Sequence, residues 1–356
     1  MNPNFVSIVT TINYPTEQLI KLANLTTINN GATIVIGDTK TAKDWQLAGA
    51  EYFSINQQNS SEPFNKFAKL LPENHYCRKN LGYLYGMQKK PQWIYESDDD
   101  NLVLDNSLKI PSLIANDSDL ILFNQDWVNI FDFTQISNSN NSLNRIWPRG
   151  FPLELIKKQD QKIAYLSELP HKKILTPIAN GIVNGDPDVD AIYRLTNPLP
   201  ISFHNLDRDL ILFGKTWSPF NSQNTWWHES TYLLMYLPVT TTFRVTDILR
   251  SYVAQVIIDS LSMGIRFYGP SAFQERNFHK LIMDFEEEIP LYLNSIAMLE
   301  TIKKSIRNAD DIFEAFYAAY LSLHHNNYVK FSEMRVVESW IECNKTIMAE
   351  SREIML

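Results

Sequence analysis

The beginning of the chain alternates between strand-like and helix-like segments, and this alternation constrains the fold more than any other feature. FVSIVTTI (residues 5–12) and ATIVIGD (32–38) are short runs rich in β-branched residues, whereas PTEQLIKLANL (15–25) has apolar residues at helical spacing, with Thr16 as its predicted cap. A strand–helix–strand unit places the two strands parallel in one sheet. We therefore predict an α/β fold that binds ligands beyond the carboxyl ends of its strands.

Later segments continue this pattern and then become helical. CRKNLGYLYGMQ (77–88) predicts a helix and QWIYES (92–97) predicts the next strand. A further strand pair is expected from DLILFG (209–214) and from the segment that begins TYLLMYL at Thr231. Helical periodicity continues from about residue 290, so we predict an α/β domain over residues 1–290 and a C-terminal helical extension over 291–356.

Composition limits the cellular compartment and the classes of binding partner that we expect for this protein. The net charge of −8 argues against a nucleic acid or an anionic membrane as partner. The cysteines, Cys77 and Cys343, cannot form a disulfide framework, and no Cys/His cluster has zinc spacing. The N-terminal residues lack the pattern of a signal peptide, and no apolar run approaches the roughly 18 residues of a membrane span. We expect a soluble, cytoplasmic protein.

Three consecutive carboxylates, Asp98 to Asp100, follow the predicted strand 92–97. Residues two apart on an extended chain point to the same side, so Asp98 and Asp100 face one space. A divalent cation such as Mg²⁺ or Mn²⁺ would stabilise both carboxylates as anions and would also bind phosphate oxygens. The pattern is suited to a metal site that bridges a nucleotide diphosphate, and a solvated acidic turn is the alternative.

Longer motifs carry a family resemblance over roughly residues 5–295. In order, the chain contains RKNLGYLYGMQKKPQWIYESDDDN, WPRGFPL, GIVNGDPDVDAIYRLT, FRVTDILRSYVAQ and FQERNFHKLIMDFEEEIPLY. This combination resembles the STELLO-type glycosyltransferase family, formerly a domain of unknown function. The resemblance implies a GT-A (Rossmann-like nucleotide-diphosphosugar transferase) fold with an Asp-x-Asp metal site. Plant members carry a membrane anchor that we do not expect here, so their Golgi role is not carried over.

The resemblance also implies roles for the residues around the acidic triplet. Asp100 is expected to be the firmest metal ligand and Asp98 the second, with Asp99 in contact with the ribose or the acceptor. Arg78 and Lys79 lie near the start of the predicted helix, where cations and free N–H groups can face phosphate, so we expect them to bind the diphosphate or the ribose. An exposed basic pair is the alternative.

Polar residues at the ends of the first strands are further candidates. Thr10, Thr11 and Asp38 are expected to contact the base and the ribose, because hydroxyl and carboxylate groups at strand ends can bind them. Simple capping by the threonines and a Gly-Asp turn is the alternative.

The segment GDPDVDAIYR places Asp186, Asp188 and Asp190 in alternation. Buried unpaired acids would be costly, so these residues are expected either to bind sugar hydroxyls at the rim of the site or to pair with Arg194 and Arg149. The family resemblance favours the active-site rim and includes Arg194 among the substrate contacts.

A second acidic site is predicted in TTTFRVTDILRSY. The pattern indicates a strand and then a helix that Thr246 caps and Asp247 begins. Similarity to inverting GT-A enzymes implies that Asp247 is the general base, while a helix-dipole partner is the alternative. Arg244 and Arg250 are expected to neutralise phosphate or Asp247.

Two residues near position 280 and two tryptophans complete the candidates. Arg276 and His279 are spaced to share one helix side, with Arg276 expected at the nucleotide and His279 as a metal ligand beside the carboxylates. A surface histidine is the alternative for His279. For Trp226 and Trp227, core packing is favoured over a platform for the acceptor.

The leading hypothesis is a metal-dependent glycosyltransferase that uses Mn²⁺ or Mg²⁺. It would move a sugar from a nucleotide-diphosphate sugar to an unidentified hydroxyl on a glycan, a lipid-linked or a protein acceptor. A nucleotide-sugar mutase is the second hypothesis, because the triplet and DPDVDA more distantly resemble the reversibly glycosylated polypeptides. A non-catalytic nucleotide-sugar-binding or scaffold protein is the third. A phosphatase is disfavoured, since Thr10 and Thr11 stand where its nucleophilic aspartate would follow the first strand.

Overall fold

The computed structural model describes residues 2–104, 108–134, 145–158, 163–164, 173–204, 206, 208–275 and 280–353. Its strands are β1 (Phe5–Thr10), β2 (Ala32–Ile36), β3 (Ala50–Phe53), β4 (Trp93–Ser97), β5 (Asn101–Val103), β6 (Leu120–Phe123), β7 (Asp126–Trp127), β8 (Ile163–Ala164), β9 (Ile178–Gly185), β10 (Leu210–Phe213), β11 (Thr216–Trp217), β12 (Asn224–His228) and β13 (Ile265–Gln274). Its α-helices are α1 (Glu17–Ile28), α2 (Ile55–Ser60), α3 (Asn65–Ala68), α4 (Lys79–Gln88), α5 (Ala191–Thr196), α6 (Phe243–Ser260), α7 (Leu281–Ser305), α8 (Ile312–His325) and α9 (Ser332–Glu353).

One large mixed sheet forms the centre of the molecule, in the order β3–β2–β1–β4–β12–β9–β13–β10–β6–β8, with β5 paired to β13. The strands β1 to β4 are parallel, which confirms the parallel start predicted from the sequence. β12 is antiparallel to both β4 and β9. Because β1 has β2 on one side and β4 on the other, a crevice opens at their carboxyl ends. This architecture is the GT-A-like α/β fold expected from the sequence.

Strand β1 is buried on both faces, and its residues alternate between two cores. Phe5 and Val9 pack in the cluster that contains residues of α1, whereas Val6 and Ile8 pack in the cluster that contains residues of α4. The predicted cap of α1 is confirmed, since Thr16 Oγ1 accepts a hydrogen bond of 3.1 Å from the backbone N–H of Leu19. The β-branched run at the start of the chain therefore forms a central strand.

The two tryptophans of β12 are core residues, as the sequence predicted. Trp226 and Trp227 are fully buried, and they point to opposite faces of the sheet because consecutive strand residues alternate. Neither indole is accessible for stacking on a sugar.

The segment predicted as a strand from Thr231 is instead a 3₁₀ helix, Glu229–Met235. Asn80 in α4 binds the chain just after this helix. Its side-chain amide donates to the carbonyl of Leu237 at 2.8 Å and accepts from the N–H of Leu237 at 2.8 Å. These bonds pair the backbone of Leu237 with a side chain instead of a neighbouring strand.

The C-terminal helices continue the main core. Helix α7 spans the predicted boundary between residues 290 and 291, with Pro290 inside the helix. Trp340 of α9 is fully buried and donates to the carbonyl of Leu233 at 2.8 Å. Glu333 at the start of α9 accepts hydrogen bonds from the Tyr236 hydroxyl and from backbone groups at residues 239 and 240. No helix within the described ranges has the length and apolar character needed to cross a bilayer.

Candidate functional site

A cavity of about 390 Å³ opens at the carboxyl ends of β1, β2 and β4. Its volume lies in the range of pockets for small-molecule ligands. Many of the residues predicted from the sequence line this cavity, although they are far apart along the chain. They are Thr10, Thr11, Asp38, Arg78, Asp98, Asp99, Asp100, Asp188, Arg194, Arg244 and Asp247.

Asp99 joins the ends of β1 and β4. Its carboxylate accepts hydrogen bonds from the Thr11 hydroxyl and from the Asn13 side-chain amide, the latter at 3.0 Å. Its backbone carbonyl accepts a hydrogen bond from the Thr16 hydroxyl at the cap of α1. The acidic triplet is therefore a partly exposed turn that is held against the first strand and the first helix.

Asp98 and Asp100 face different partners. Asp98 accepts a hydrogen bond of 2.9 Å from the Lys79 ammonium, whereas both oxygens of Asp100 lie 3.0 Å from the Gln274 side-chain amide. Burial, and then the nearby Asp98 carboxylate, raises the pKa of Asp100 to about 6. Burial also raises the pKa of Asp98, although Lys79 acts in the opposite direction. Asp100 has no cationic partner among the described residues, so it is the carboxylate that gains most from a cation.

The chemistry of this pair fits Mg²⁺ or Mn²⁺, because both ions prefer carboxylate oxygens. Within the described ranges, no group of three or more His, Cys, Asp and Glu residues forms a metal-binding cluster. Asp98 and Asp100 would therefore supply part of a coordination sphere that water or phosphate oxygens complete. His279, the third ligand expected from the sequence, lies outside the described residues, as does Arg276.

Arg149 connects two aspartates on the far side of the cavity. Its guanidinium donates to both oxygens of Asp188 at 2.8 and 2.7 Å and to both oxygens of Asp247 at 3.0 and 2.9 Å. Burial of Asp188 is outweighed by Arg149 and Arg244, which lower the pKa of the Asp188 carboxyl. The structure thus places a buried carboxylate pair, held by one cation, opposite the acidic triplet.

Comparison with known proteins shows which proteins this chain is similar to. No family model matches the sequence. Over 349 residues, or 94% of this chain, it is 25% identical to a protein of Arabidopsis thaliana named "Probable glycosyltransferase STELLO1". The likeness to STELLO2 of the same plant is also 25%, over 350 residues. Over most of its length, this chain is thus similar to part of the two STELLO proteins. It spans less than half the length of these relatives, 43% of STELLO1 and 44% of STELLO2.

Asp247 is not the first residue of its helix. Helix α6 begins at Phe243 after the cap residue Thr242, which places Asp247 in the second turn. Because the helix dipole acts mainly within the first turn, the alternative role as a dipole partner is not supported. Asp247 is 4% exposed and also accepts a hydrogen bond of 3.3 Å from the backbone N–H of Ser222.

Arg250, expected near phosphate or Asp247, belongs to the core of the protein. It forms an ion pair with Glu96 of β4, with nitrogen–oxygen distances of 2.7 and 2.9 Å, and both side chains are fully buried. Its guanidinium also lies over the Trp227 ring, 4.9 Å from the ring centroid. The strand that precedes the acidic triplet is thereby tied to the helix that carries Asp247.

The three acids of the DPDVD motif have three different surroundings. Asp188 lines the cavity, whereas Asp186 does not line it and pairs with the lining residue Arg194. Asp190 caps α5, where it accepts hydrogen bonds from the N–H of Tyr193 at 2.8 Å and from the Trp147 indole at 2.6 Å. Burial raises the pKa of Asp190 to about 6. The rim position expected for all three acids is found only for Asp188.

The charged groups of Arg78 and Lys79 are hydrogen-bonded within the protein, and their expected contact with a diphosphate or ribose stays a prediction. The Arg78 guanidinium donates to Gln58 at 2.8 Å and to the carbonyl of Leu71 at 3.2 Å, and Lys79 donates to the carbonyl of Ser97 at 2.8 Å as well as to Asp98. Both side chains are buried, so the alternative of an exposed basic pair is wrong. Lys79 contributes to the site by neutralising Asp98.

Asp38 organises the loop that faces the end of β1. Its oxygens accept hydrogen bonds from the N–H groups of Thr39, Asn74 and His75, at 2.7, 2.9 and 3.2 Å. Arg244 also has a structural partner, Glu288 of α7, at 2.7 Å. Asp38 and Arg244 therefore line the cavity while they hold its walls in place.

Sequence reasoning missed part of the cavity wall. Lys40 is exposed and forms no ion pair with any other described residue. The other missed residues come from strand ends and loops that only the folded chain brings together: Asn13, Asn74, His75, Tyr76, Asn221, Ser222, Gln223, Phe243 and Gln274. Arg149 was considered only as an ion-pair partner. The position of Gln274 at the end of a strand was the one sequence signal available for it.

Proposed function

We propose that this chain is a metal-dependent glycosyltransferase that moves a sugar from a nucleotide-diphosphate sugar to a hydroxyl acceptor. The observation that supports this proposal most is the meeting of two acidic groups in one cavity at the strand ends. One is the triplet around Asp100, and the other is the pair that Arg149 holds. The names of the curated relatives, both probable glycosyltransferases, support the same class of reaction.

The charge of the cavity supports a divalent cation. Aspartates at positions 38, 98, 99, 100, 188 and 247 line the wall, and they would repel a diphosphate. A cation held by Asp98 and Asp100 would reverse this repulsion locally, and it would stabilise the charge that develops on the departing diphosphate. Lys40 is the exposed cation of the wall that can contact the phosphates.

We infer the roles of the other lining residues from their positions in the cavity. Thr10, Thr11 and Asp38 would contact the nucleoside at the ends of β1 and β2. Asp247 keeps free acceptor positions on its oxygens, since an ionised carboxylate has about four and three are used here. We propose that it takes the proton of the acceptor hydroxyl if the reaction inverts the sugar, and that Arg149 fixes its orientation.

A thermal-shift experiment tests the nucleotide site. UDP-, GDP- and CDP-sugars are each added with and without Mn²⁺, and at about 100 times the dissociation constant a true ligand adds about 2.7 kcal/mol to the unfolding free energy. Asp100→Ala should abolish the Mn²⁺-dependent part of the shift. The matched control is Asp117→Ala, which removes an exposed aspartate outside the cavity and should leave the shift intact.

Two outcomes would contradict the proposal. The absence of a shift with every nucleotide would remove the nucleotide site, and an unchanged Mn²⁺ effect in Asp100→Ala would remove the triplet from the metal site. Incubation with the donor alone, followed by chromatography of the sugar nucleotide, separates transfer from mutase activity, because a mutase isomerises the sugar without an acceptor. A cytoplasmic location remains a prediction from the sequence.

A further inference from the structure

Three aromatic rings form one side of the cavity. His75, Tyr76 and Phe243 all line it, and we call this group the aromatic wall. The Tyr76 and Phe243 ring centroids are 4.5 Å apart, and the His75 ring lies 5.9 Å from Tyr76 and 6.0 Å from Phe243. Phe243 is 51% exposed, whereas most aromatic residues of this chain are buried. An exposed aromatic ring inside a polar cavity indicates contact with a ligand.

The aromatic wall is next to both polar parts of the cavity. The backbone N–H of His75 is bonded to Asp38, where the nucleoside is expected. Phe243 and Asp247 lie four residues apart in α6 and therefore share one face of the helix. The three rings contact one another, and the Tyr76 hydroxyl has no hydrogen-bond partner among the described residues. Phe243 is thus the ring of the wall that shares a helix with Asp247.

We propose that Phe243 of the aromatic wall binds a sugar ring of the acceptor, so that the acceptor is a carbohydrate. This inference rests on the proposed function and names its acceptor class. The face of an aromatic ring is electronegative and attracts the polarised C–H groups on one face of a sugar. Asp188 and Asp247, close by, can accept hydrogen bonds from the sugar hydroxyls. A peptide serine or a simple alcohol has no ring face to cover Phe243.

Saturation-transfer NMR measures this contact directly. Enough Mg²⁺, and enough of the nucleoside diphosphate that gives the largest thermal shift, are added to fill their sites, and methyl glycosides of common hexoses are compared with glycerol. We expect at least one glycoside, and not glycerol, to receive saturation. Phe243→Leu should weaken glycoside binding by about 2- to 12-fold, the range expected for an aromatic contact beyond its buried area. Nucleotide affinity should not change.

The control variant is Phe331→Leu, which removes a ring that is 76% exposed and lies outside the cavity. It should leave glycoside binding unchanged, and the melting temperatures of both variants show that they fold. Equal binding of glycosides by Phe243→Leu and the parent chain would overturn the inference. So would a loss of nucleotide affinity as large as the loss of glycoside affinity, which would assign the wall to the nucleobase.

The two proposals fail in different ways. A protein that keeps its nucleotide-dependent thermal shift but binds none of the glycosides would overturn the acceptor class and leave the proposed function standing. A protein that shows no shift with any nucleotide would overturn the proposed function, and the acceptor assignment with it.

Discussion

At the scale of single residues, the site depends on side chains that hold carboxylates in place. Arg149→Met would leave Asp188 and Asp247 buried without their shared cation, and we expect a loss of about 3–5 kcal/mol in unfolding free energy at pH 7. Urea unfolding of the variant and of the parent chain measures this loss. The control, Arg145→Met, breaks a partly exposed pair with Asp132 and should cost about 1 kcal/mol or less.

The Arg149 effect should depend on pH in one direction. Because the folded protein lowers the pKa of Asp188, the stability that this pair provides is present above the pKa of the unfolded chain, about 3.9, and is lost as the pH falls through the folded pKa. The difference between the parent chain and Arg149→Met should therefore shrink in acid. A difference that stays constant down to the acid limit of folding would contradict this account.

Asp190 should show the opposite dependence. Its pKa is raised to about 6 in the folded protein, so its contribution is fully present below about pH 4 and is lost as the pH rises through 6. In Asp190→Asn that titration is absent. We expect the unfolding free energy of the variant, relative to the parent chain, to rise by up to about 3 kcal/mol between pH 4 and 7. Chemical unfolding at several pH values tests this, and a falling difference would refute it.

The sequence predicted single residues well where chemistry and chain position coincide. The acidic triplet directly follows a buried strand, and Asp188 sits in a motif dense in acids, so both could be placed at the site. Lys79 could not, because its partner Asp98 lies across a helix and a strand, and only folding shows that the ammonium is used up inside the protein.

At the scale of elements, α4 lies very close to the first two strands because two of its residues are glycines. A Cβ on Gly82 would lie 2.6 Å from Ile8 Cγ2, whereas one on Gly86 would lie 3.0 Å from the flexible end of the same side chain. Alanine gains about 1 kcal/mol in helix propensity, but forced overpacking costs about 1–3 kcal/mol.

We therefore expect Gly82→Ala to lower the thermal midpoint and Gly86→Ala to lower it less, as measured by calorimetry. A Gly82→Ala variant as stable as the parent chain would show that the helix can move away from the sheet without cost.

Helices and strands that have their own periodic sequence pattern were predicted from the sequence. Segments whose structure involves contacts with residues far away in the chain were not. The period-two and helical patterns of β1, α1 and β2 need only their own residues. Just after the 3₁₀ helix that follows β12, Leu237 is bound by Asn80, which is 157 positions away in the chain, and no local pattern reports such a pairing. The start of α6 was misplaced because Thr242 and Thr246 are both plausible caps and only the first has the extended backbone of a cap residue.

At the scale of the whole molecule, the C-terminal helices and the sheet share one core. Trp340 and Leu291 belong to the same buried cluster as Val6 and Ile8. Hydrogen exchange should therefore give amides around Trp340 an opening free energy within about 1 kcal/mol of the amides in β1. Much faster exchange around Trp340 would support the separate extension that the sequence predicted.

The buried pair of Glu96 and Arg250 has a practical consequence for anyone who wishes to redesign the cavity of this protein. This ion pair joins β4 to α6 and so sets the distance between the acidic triplet and α6. We expect substitutions there to narrow or widen the cavity instead of changing which ligand it prefers. Exposed wall positions such as Ile12, Lys40 and Phe243 are not braced in this way, and libraries aimed at new ligand preference should begin with them.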